Sequence, residues 1–353
     1  MQLDSSHLEA AAHKATAWLA AQMTQMGNYR GREPRGDDGV YPDTDDIGCY
    51  YKSIYALRAT GQSAAAARGM GYVVQRFRSD AGDFYNTPTV RSSGSYGPYF
   101  CQMYQNSWLM RGASALHWFG LARDILRFMN TQRDPQSGGY FSHVNTQTGI
   151  MDSNSVAVGA YCCILGGQVE MARQSCDLLV RLLGAQRDPG ILWSRCRRDG
   201  TLVTDLDGVE KKNWRYVRIA ADEPEQAYWI WAWPMNALIA AHEMTDEPRY
   251  LDAAVRIFDF LASCHPHAFG FTTSGKNAWG AAKLYRLTGE RRYLDKSLLQ
   301  MQYILDHQHA EGYMLGEGVQ DESGQPRRTT FDYTADFASW LIDNAAEFAS
   351  KGL

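Results

Sequence analysis

Residues 284–297 read LYRLTGERRYLDKS: the end of an apolar helix, a Thr-Gly turn, and at once the start of an amphipathic helix. The same join recurs at YALRATGQSAAAAR (55–68), YCCILGGQVEMAR (161–173) and AAHEMTDEPRYLDAA (240–254), with ALHWFGLARDIL (115–126) as a shorter fifth case. Longer segments with Gly and Pro separate these hairpins, at 27–43, 80–99, 131–151, 186–222 and 309–330, and more briefly at 264–272. The pattern predicts roughly twelve helices, at 6–26, 44–60, 63–79, 101–118, 120–131, 153–166, 168–185, 224–244, 248–263, 273–288, 291–307 and 332–350. Alternation of tight and long connections puts the tight turns at one end of a stack and the long loops at the other. A helical hairpin cannot cover its own apolar faces, so stacking on neighbours is favoured. Closed into a ring, six hairpins form an all-α, (α/α)6 toroid whose inner helices all begin at one mouth; an open solenoid is the alternative. No linker interrupts the pattern, so 1–353 reads as a single domain.

Composition narrows the function classes. The chain has 353 residues, which at about 150 per domain allows two domains or one large one. A chain of this size buries a core without disulfides. Its 35 basic and 39 acidic residues leave a net charge of −4, without the basic surplus of a nucleic-acid binder. No apolar run reaches the ~18–20 residues of a membrane span. The N-terminal stretch carries Asp4, His7, Glu9 and His13 inside its apolar pattern, which suits an amphipathic helix and not a cleaved signal. Seven scattered cysteines do not form a disulfide framework, and a cytoplasmic location is expected. Aromatic residues make up 12% of the chain, enough to fill a core or to line a pocket.

In a toroid the chemistry belongs where the inner helices begin, at their positive ends. The six starts are YPDTDDIGCYYK (41–52), YFCQMYQNSW (99–108), MDSNSVAVGAY (151–161), DEPEQAYWIWAW (222–233), FTTSGKNAW (271–279) and FDYTADFASW (331–340). Each sets polar residues ahead of an aromatic about one turn deeper. The first carries three carboxylates in four residues, Asp43, Asp45 and Asp46. Their mutual repulsion predicts that at least one has a raised pKa, and a protonated carboxyl in an aromatic pocket serves as a general acid. The plainer reading is a helix cap, which explains one Asp well and a third poorly.

The stretch PDTDDIGCYYKSIYAL resembles the DxDD element of class II terpene cyclases, which also opens an inner helix of an α/α toroid. NTQRDPQSGGYF (130–141) and LGAQRDPGILW (183–193) are similar to the Gln-and-aromatic repeats of that family. The resemblance implies proton donation by Asp45, with Asp43 and Asp46 as supporting partners. It implies that aromatic faces stabilise the resulting cations. The chain departs from that family in having room for one toroid where those cyclases usually have two. MDSNSVAVGAY also resembles a helix start of linalool dehydratase-isomerase, a single-domain toroid, with Ser153 where that enzyme has a cysteine. Cys162 and Cys163 read as small core residues.

The expected pocket comprises Tyr50, Tyr104, Asn106, Trp108 and Trp229, with Asp152, Asn154, Glu225, Lys276, Asn277, Asp332 and Asp336 as polar groups. Lys276 and Asn277 suit an anion, and Lys276 equally suits a neighbouring Asp. Asp152, Glu223, Glu225, Asp332 and Asp336 make a wet mouth for a hydrocarbon. They support a rival: a six-hairpin glycosidase, lyase or sugar epimerase with paired carboxylates. Of Tyr228, Trp229, Trp231 and Trp233, one or two reach a pocket, and Pro234 interrupts their helix. His265/His267 and His307/His309 lack further ligands nearby, so no metal is expected, and no phosphate loop or cofactor motif is present. The expectation is a cofactor-independent cyclase, isomerase or lyase acting by acid catalysis on a small apolar metabolite. The carbohydrate-active enzyme stands as its alternative and a non-catalytic binding module as a third. A homo-oligomer is compatible with the sequence.

Overall fold

The computed structural model of the chain describes residues 3–33, 35–88, 101–141, 149–206, 209, 211–315 and 327–353. The helices are α1 (Ser5–Gln22), α2 (Ser53–Ala59), α3 (Ser63–Phe77), α4 (Cys101–Ala115), α5 (Phe119–Thr131), α6 (Ser153–Leu165), α7 (Val169–Gly184), α8 (Trp229–Thr245), α9 (Pro248–Ser263), α10 (Gly275–Thr288), α11 (Arg291–Asp306) and α12 (Arg327–Ala349). All five tight turns lie where the sequence puts them. Each passes through one left-handed residue, Gly61, His117, Gly167, Asp246 and Gly289 in order. That conformation stops a helix and reverses the chain. No helix among the described residues is long and apolar enough to cross a membrane.

Three boundaries differ from expectation. The helix predicted from 44 begins at Ser53, and the Asp-rich stretch instead forms two 3-10 turns, Pro42–Thr44 and Ile47–Cys49. Asp46 between them is extended and caps the second turn through Gly48 N–H, which breaks helical continuity. The helix predicted from 224 begins at Trp229, after a left-handed Glu225. The last helix begins earlier, at Arg327. Four short strands are new: β1 (Ile150–Asp152) pairs antiparallel with β3 (Arg195–Arg197), and β2 (Ile191–Trp193) with β4 (Arg218–Ala220). Strands of three residues are too short to leave a readable alternation.

Two compact units can be described within the chain. One comprises Met1–Ser92, Trp108–Ile125 and Leu298–Leu353, the other Ser93–Ser107 and Leu126–Ser297. Three of their boundaries fall inside α4, α5 and α11, where no linker could mark them in the sequence. In the first unit α12 packs on α1 and α2, and α2 on α3. In the second α8 packs on α6, α9 and α10, and α6 also packs on α7. The even-numbered helices are buried nearly all round, as in α8, where Trp229 to Ala241 is continuously buried.

Two devices hold this packing. Gly27, with φ +92°, lies so close to α3 that an added Cβ would stand 2.2 Å from the Arg68 carbonyl oxygen. Pro234 lies within α8 without breaking it. Proline has no N–H for the carbonyl four residues back, and here the Ser153 hydroxyl donates to that Ile230 carbonyl at 2.7 Å. Ser153→Ala is expected to cost about 1–3 kcal/mol in urea unfolding, by orphaning a buried carbonyl. An unchanged midpoint would show that the Ile230 carbonyl finds another donor.

Candidate functional site

The three carboxylates of the first unit's Asp-rich stretch point to three different partners. Asp43 accepts from the Arg32 backbone N–H at 2.8 Å. Asp45 receives Arg76 Nη2 at 2.6 Å and Arg76 Nε at 3.1 Å on its two oxygens, and the Tyr72 hydroxyl at 3.2 Å. Asp46 accepts from Gly48 N–H at 2.7 Å and from Arg328 Nε at 2.9 Å. Burial pushes the Asp46 carboxyl above the usual carboxylate range, and Arg328 opposes that rise. The trio does contain one raised pKa, with burial as its main cause and a like-charge contribution from Asp332 on α12. Asp45, expected as the proton donor, thus has both oxygens engaged by one guanidinium in an ion pair. Asp43 and Asp46, bonded to other segments, do not support it.

Tyr50, expected in the pocket, packs on Tyr29 and on loop backbone. Its ring is buried and stacked on Tyr29 at 5.1 Å, and its hydroxyl accepts from Tyr29 N–H and donates to the Thr44 carbonyl. Asp332 and Asp336, on one face of α12, converge on the buried Lys52 at 2.9 and 3.0 Å. Two helical turns beyond Asp336, Asp343 receives Arg111 Nη2 at 2.6 Å and the Tyr55 hydroxyl at 2.6 Å. Trp108 lies beside this pair, edge-on to Trp340 at 5.4 Å, with Arg111 over its ring at 5.2 Å. The sequence reading passed over Lys52, Arg76 and the Arg111–Asp343 pair. A lysine directly before a helix of small and apolar residues was the available signal for Lys52.

In the second unit Asp152 caps α6: it accepts from Ser155 N–H at 2.8 Å and from the Ser155 hydroxyl at 2.7 Å. That role is structural. Asn154, the second residue of α6, is buried, and both polar atoms of its side chain lack a partner among the described residues. Asn106 and Lys276 are buried; Asn277 donates to the Ala268 carbonyl at 2.6 Å and so ties α10 to the turn before it. Tyr104 packs between Trp229 at 5.9 Å and Trp233 at 6.3 Å, and Trp229 continues to Tyr216 at 6.2 Å. The thiols of Cys162 and Cys163 are buried, and burial raises both above the usual thiol range, as suits core residues.

Ahead of α8 the chain folds around a cavity of about 480 Å³ lined chiefly by Lys211, Trp214, Arg215, Arg218, Glu223 and Glu225. Strand β4 presents Arg218 to Glu223, Nη2 to Oε1 at 2.8 Å, and Gln226 donates to the other Glu223 oxygen at 3.2 Å. The Trp214 indole N–H donates to the Val209 carbonyl at 3.1 Å, which fixes its plane. Glu225 is exposed, carries φ +54°, and its carboxylate has no partner among the described residues. A non-glycine residue held left-handed costs about 1–2 kcal/mol, and such strain concentrates at functional sites. Two carboxylates, a bonded guanidinium and a fixed indole can bind a polyhydroxylated ring, whose apolar faces lie on Trp and whose hydroxyls take charged partners. The signal for the missed part was KKNWRYVR (211–218), where cations alternate with rings.

This cavity lies within the part of the chain that carries a family signature. A family model for the β-L-arabinofuranosidase, GH127 catalytic domain matches residues 132–322, more than half of the chain. The chain belongs to this GH127 family. Solved structures of similar fold include a D-mannose isomerase, 15% identical, covering 96% of this chain and 97% of that one with a TM-score of 0.69. A GH76 α-mannanase from Bacteroides thetaiotaomicron is 12% identical over 97% and 96%, with a TM-score of 0.64. A cellobiose 2-epimerase from Bacillus thermoamylovorans is 10% identical over 96% and 99%, with a TM-score of 0.65. No curated protein sequence matches. The fold class is the all-α, (α/α)6 toroid expected from the hairpin repeat. GH127 membership places the protein among carbohydrate-active enzymes, which matches the alternative weighed in the sequence better than the isoprenoid reading. The likeness to terpene cyclases holds for the toroid and does not extend to activity. Among the described residues no three His, Cys, Asp or Glu side chains cluster in a way that could hold a metal ion.

Proposed function

We propose that this GH127-family chain hydrolyses the glycosidic bond of a short saccharide bound in the cavity of residues 211–226. The observation that carries the reading is the pairing of Glu223 and Glu225 beside Trp214, inside the segment matched by the family. Glycoside hydrolysis needs one carboxyl to protonate the departing oxygen and a second to act as base or nucleophile. Glu223, with both oxygens already taking N–H groups from Arg218 and Gln226, is the anionic partner. Glu225, exposed and unpaired among the described residues, is the acid that meets the leaving group. Trp214 takes the sugar's apolar face.

Hydrolysis fits this lining better than isomerisation or epimerisation of a free sugar. Those reactions move a proton on carbon, a task suited to a base that titrates near neutrality, and no histidine is among the lining residues. The test is a panel of nitrophenyl glycosides with β-L-arabinofuranoside first and α-mannoside second, beside free mannose and cellobiose followed by NMR. Release of nitrophenol is the expected result. Conversion of a free sugar without hydrolysis of any glycoside would overturn the hydrolase reading in favour of an isomerase or epimerase.

A further inference from the structure

The charge around the cavity runs against the charge of the chain. The protein as a whole is anionic, with a net charge of −4, yet the cavity is lined by three cations, Lys211, Arg215 and Arg218, against two carboxylates. Arg218 and Glu223 neutralise each other at 2.8 Å. That leaves Lys211 and Arg215 as cations of the lining without a carboxylate bonded to them. Neither Lys211 nor Arg215 has an ion-pair partner among the described residues, and both are exposed, so neither contributes a buried charge pair to the fold. Arg215 is nonetheless oriented: its Nη2 donates to the Tyr216 hydroxyl at 3.0 Å and its guanidinium lies 5.0 Å from that ring's centre. A guanidinium held in place with donors to spare is suited to a planar or tetrahedral oxyanion, and a lysine beside it adds a second charge.

We infer that the saccharide taken by this cavity carries an anionic group, a sugar carboxylate or a sugar phosphate, bound by Lys211 and Arg215. The inference rests on the proposed saccharide site and narrows its substrate class. In this arrangement Trp214 receives the ring and Glu223 and Glu225 face the glycosidic oxygen. The acidic substituent lies toward Lys211 and Arg215, away from the two carboxylates that would repel it.

The experiment is calorimetric titration of the full-length Glu225→Gln protein, with Trp214 fluorescence as a second readout. The ligands are methyl glucoside, methyl glucuronide, the methyl ester of that glucuronide, glucose 6-phosphate, and acetate or inorganic phosphate alone. The expected result is binding of the glucuronide or the sugar phosphate about tenfold or more tighter than the neutral glucoside, weakening as salt is raised. The ester should bind like the neutral sugar, and Lys211→Gln with Arg215→Gln should remove the advantage while leaving neutral binding unchanged. Preference for the glucuronide identifies a carboxylate and preference for the 6-phosphate identifies a phosphate; either sustains the inference. Equal binding of neutral and acidic sugars would overturn it and leave the saccharide site standing. Inorganic phosphate or acetate matching the acidic sugar would reduce the feature to a bare anion site and also overturn it. Failure of every sugar to bind or to perturb Trp214 would remove the saccharide site itself.

Discussion

Glu225→Gln is expected to lower glycoside turnover by about 100-fold or more while leaving the thermal midpoint within about 2 °C of the parent. The size of the loss follows from the role. A general acid positioned at a departing oxygen is worth about two to four orders of magnitude, and glutamine keeps the shape but cannot supply the proton. The fold should be indifferent, because the Glu225 side chain is exposed and touches no ion-pair or hydrogen-bond partner among the described residues. A second variant sharpens the result. Glu225→Gly relieves the left-handed backbone at φ +54° and should gain about 1 kcal/mol in unfolding while losing activity. Stability gained as activity is lost is the signature of a residue kept for chemistry against its own conformational preference. Full activity in Glu225→Gln would falsify the assignment and move the acid to another carboxyl.

Lys52→Met should have the largest effect on stability, a loss of about 3–5 kcal/mol in denaturant unfolding. Lys52 is the shared partner of Asp332 and Asp336 in a buried setting, at 2.9 and 3.0 Å. Methionine fills a similar volume, so the cost comes from withdrawing one cation from two buried carboxylates, with little contribution from a cavity. Adding Asp332→Asn and Asp336→Asn to Lys52→Met should restore most of the loss, since removing all three charges removes the desolvation penalty with the attraction. A single Lys52→Met variant as stable as the parent would mean the two carboxylates are neutralised by other groups. The prediction also separates this cluster from the cavity ahead of α8: Asp332 and Asp336, expected at a substrate mouth, are engaged in holding α12 to the start of α2.

Tight turns were legible because a left-handed residue such as Gly289 or Asp246 follows an apolar helix and precedes an amphipathic one, all within a dozen or so positions. The Asp-rich stretch is legible in the sequence as a feature, but its partners are not. Three aspartates in four residues look like one electrostatic unit, but each is turned toward a different segment: the Arg32 backbone, the Arg76 side chain on α3, and Arg328 on α12. Tyr50 was read as lining a pocket because an aromatic followed polar residues, yet its hydroxyl clamps two backbone groups of the preceding loop. Glu225 was picked out among the polar groups of the fourth helix start. Its companions Lys211, Trp214 and Arg215 lie in a six-residue 3-10 helix, Lys211–Tyr216, too short to show a readable period in the sequence.

What the chain alone determined is local: where helices stop, which of them are amphipathic, and that hairpins alternate with long connections. These depend on backbone conformations and side-chain periods within one or two turns, so they are written in consecutive residues. What only the tertiary structure decided is the fate of each charge. Asp46 meets Arg328 across 282 positions of chain, and Arg111 meets Asp343 across 232. A carboxylate becomes a cap, half of a buried ion pair or an unpaired group in a cavity according to what packing brings within about 3 Å of it. Coulomb and hydrogen-bond energies depend on that distance and on the loss of water around it, and neither quantity exists until distant helices have packed together.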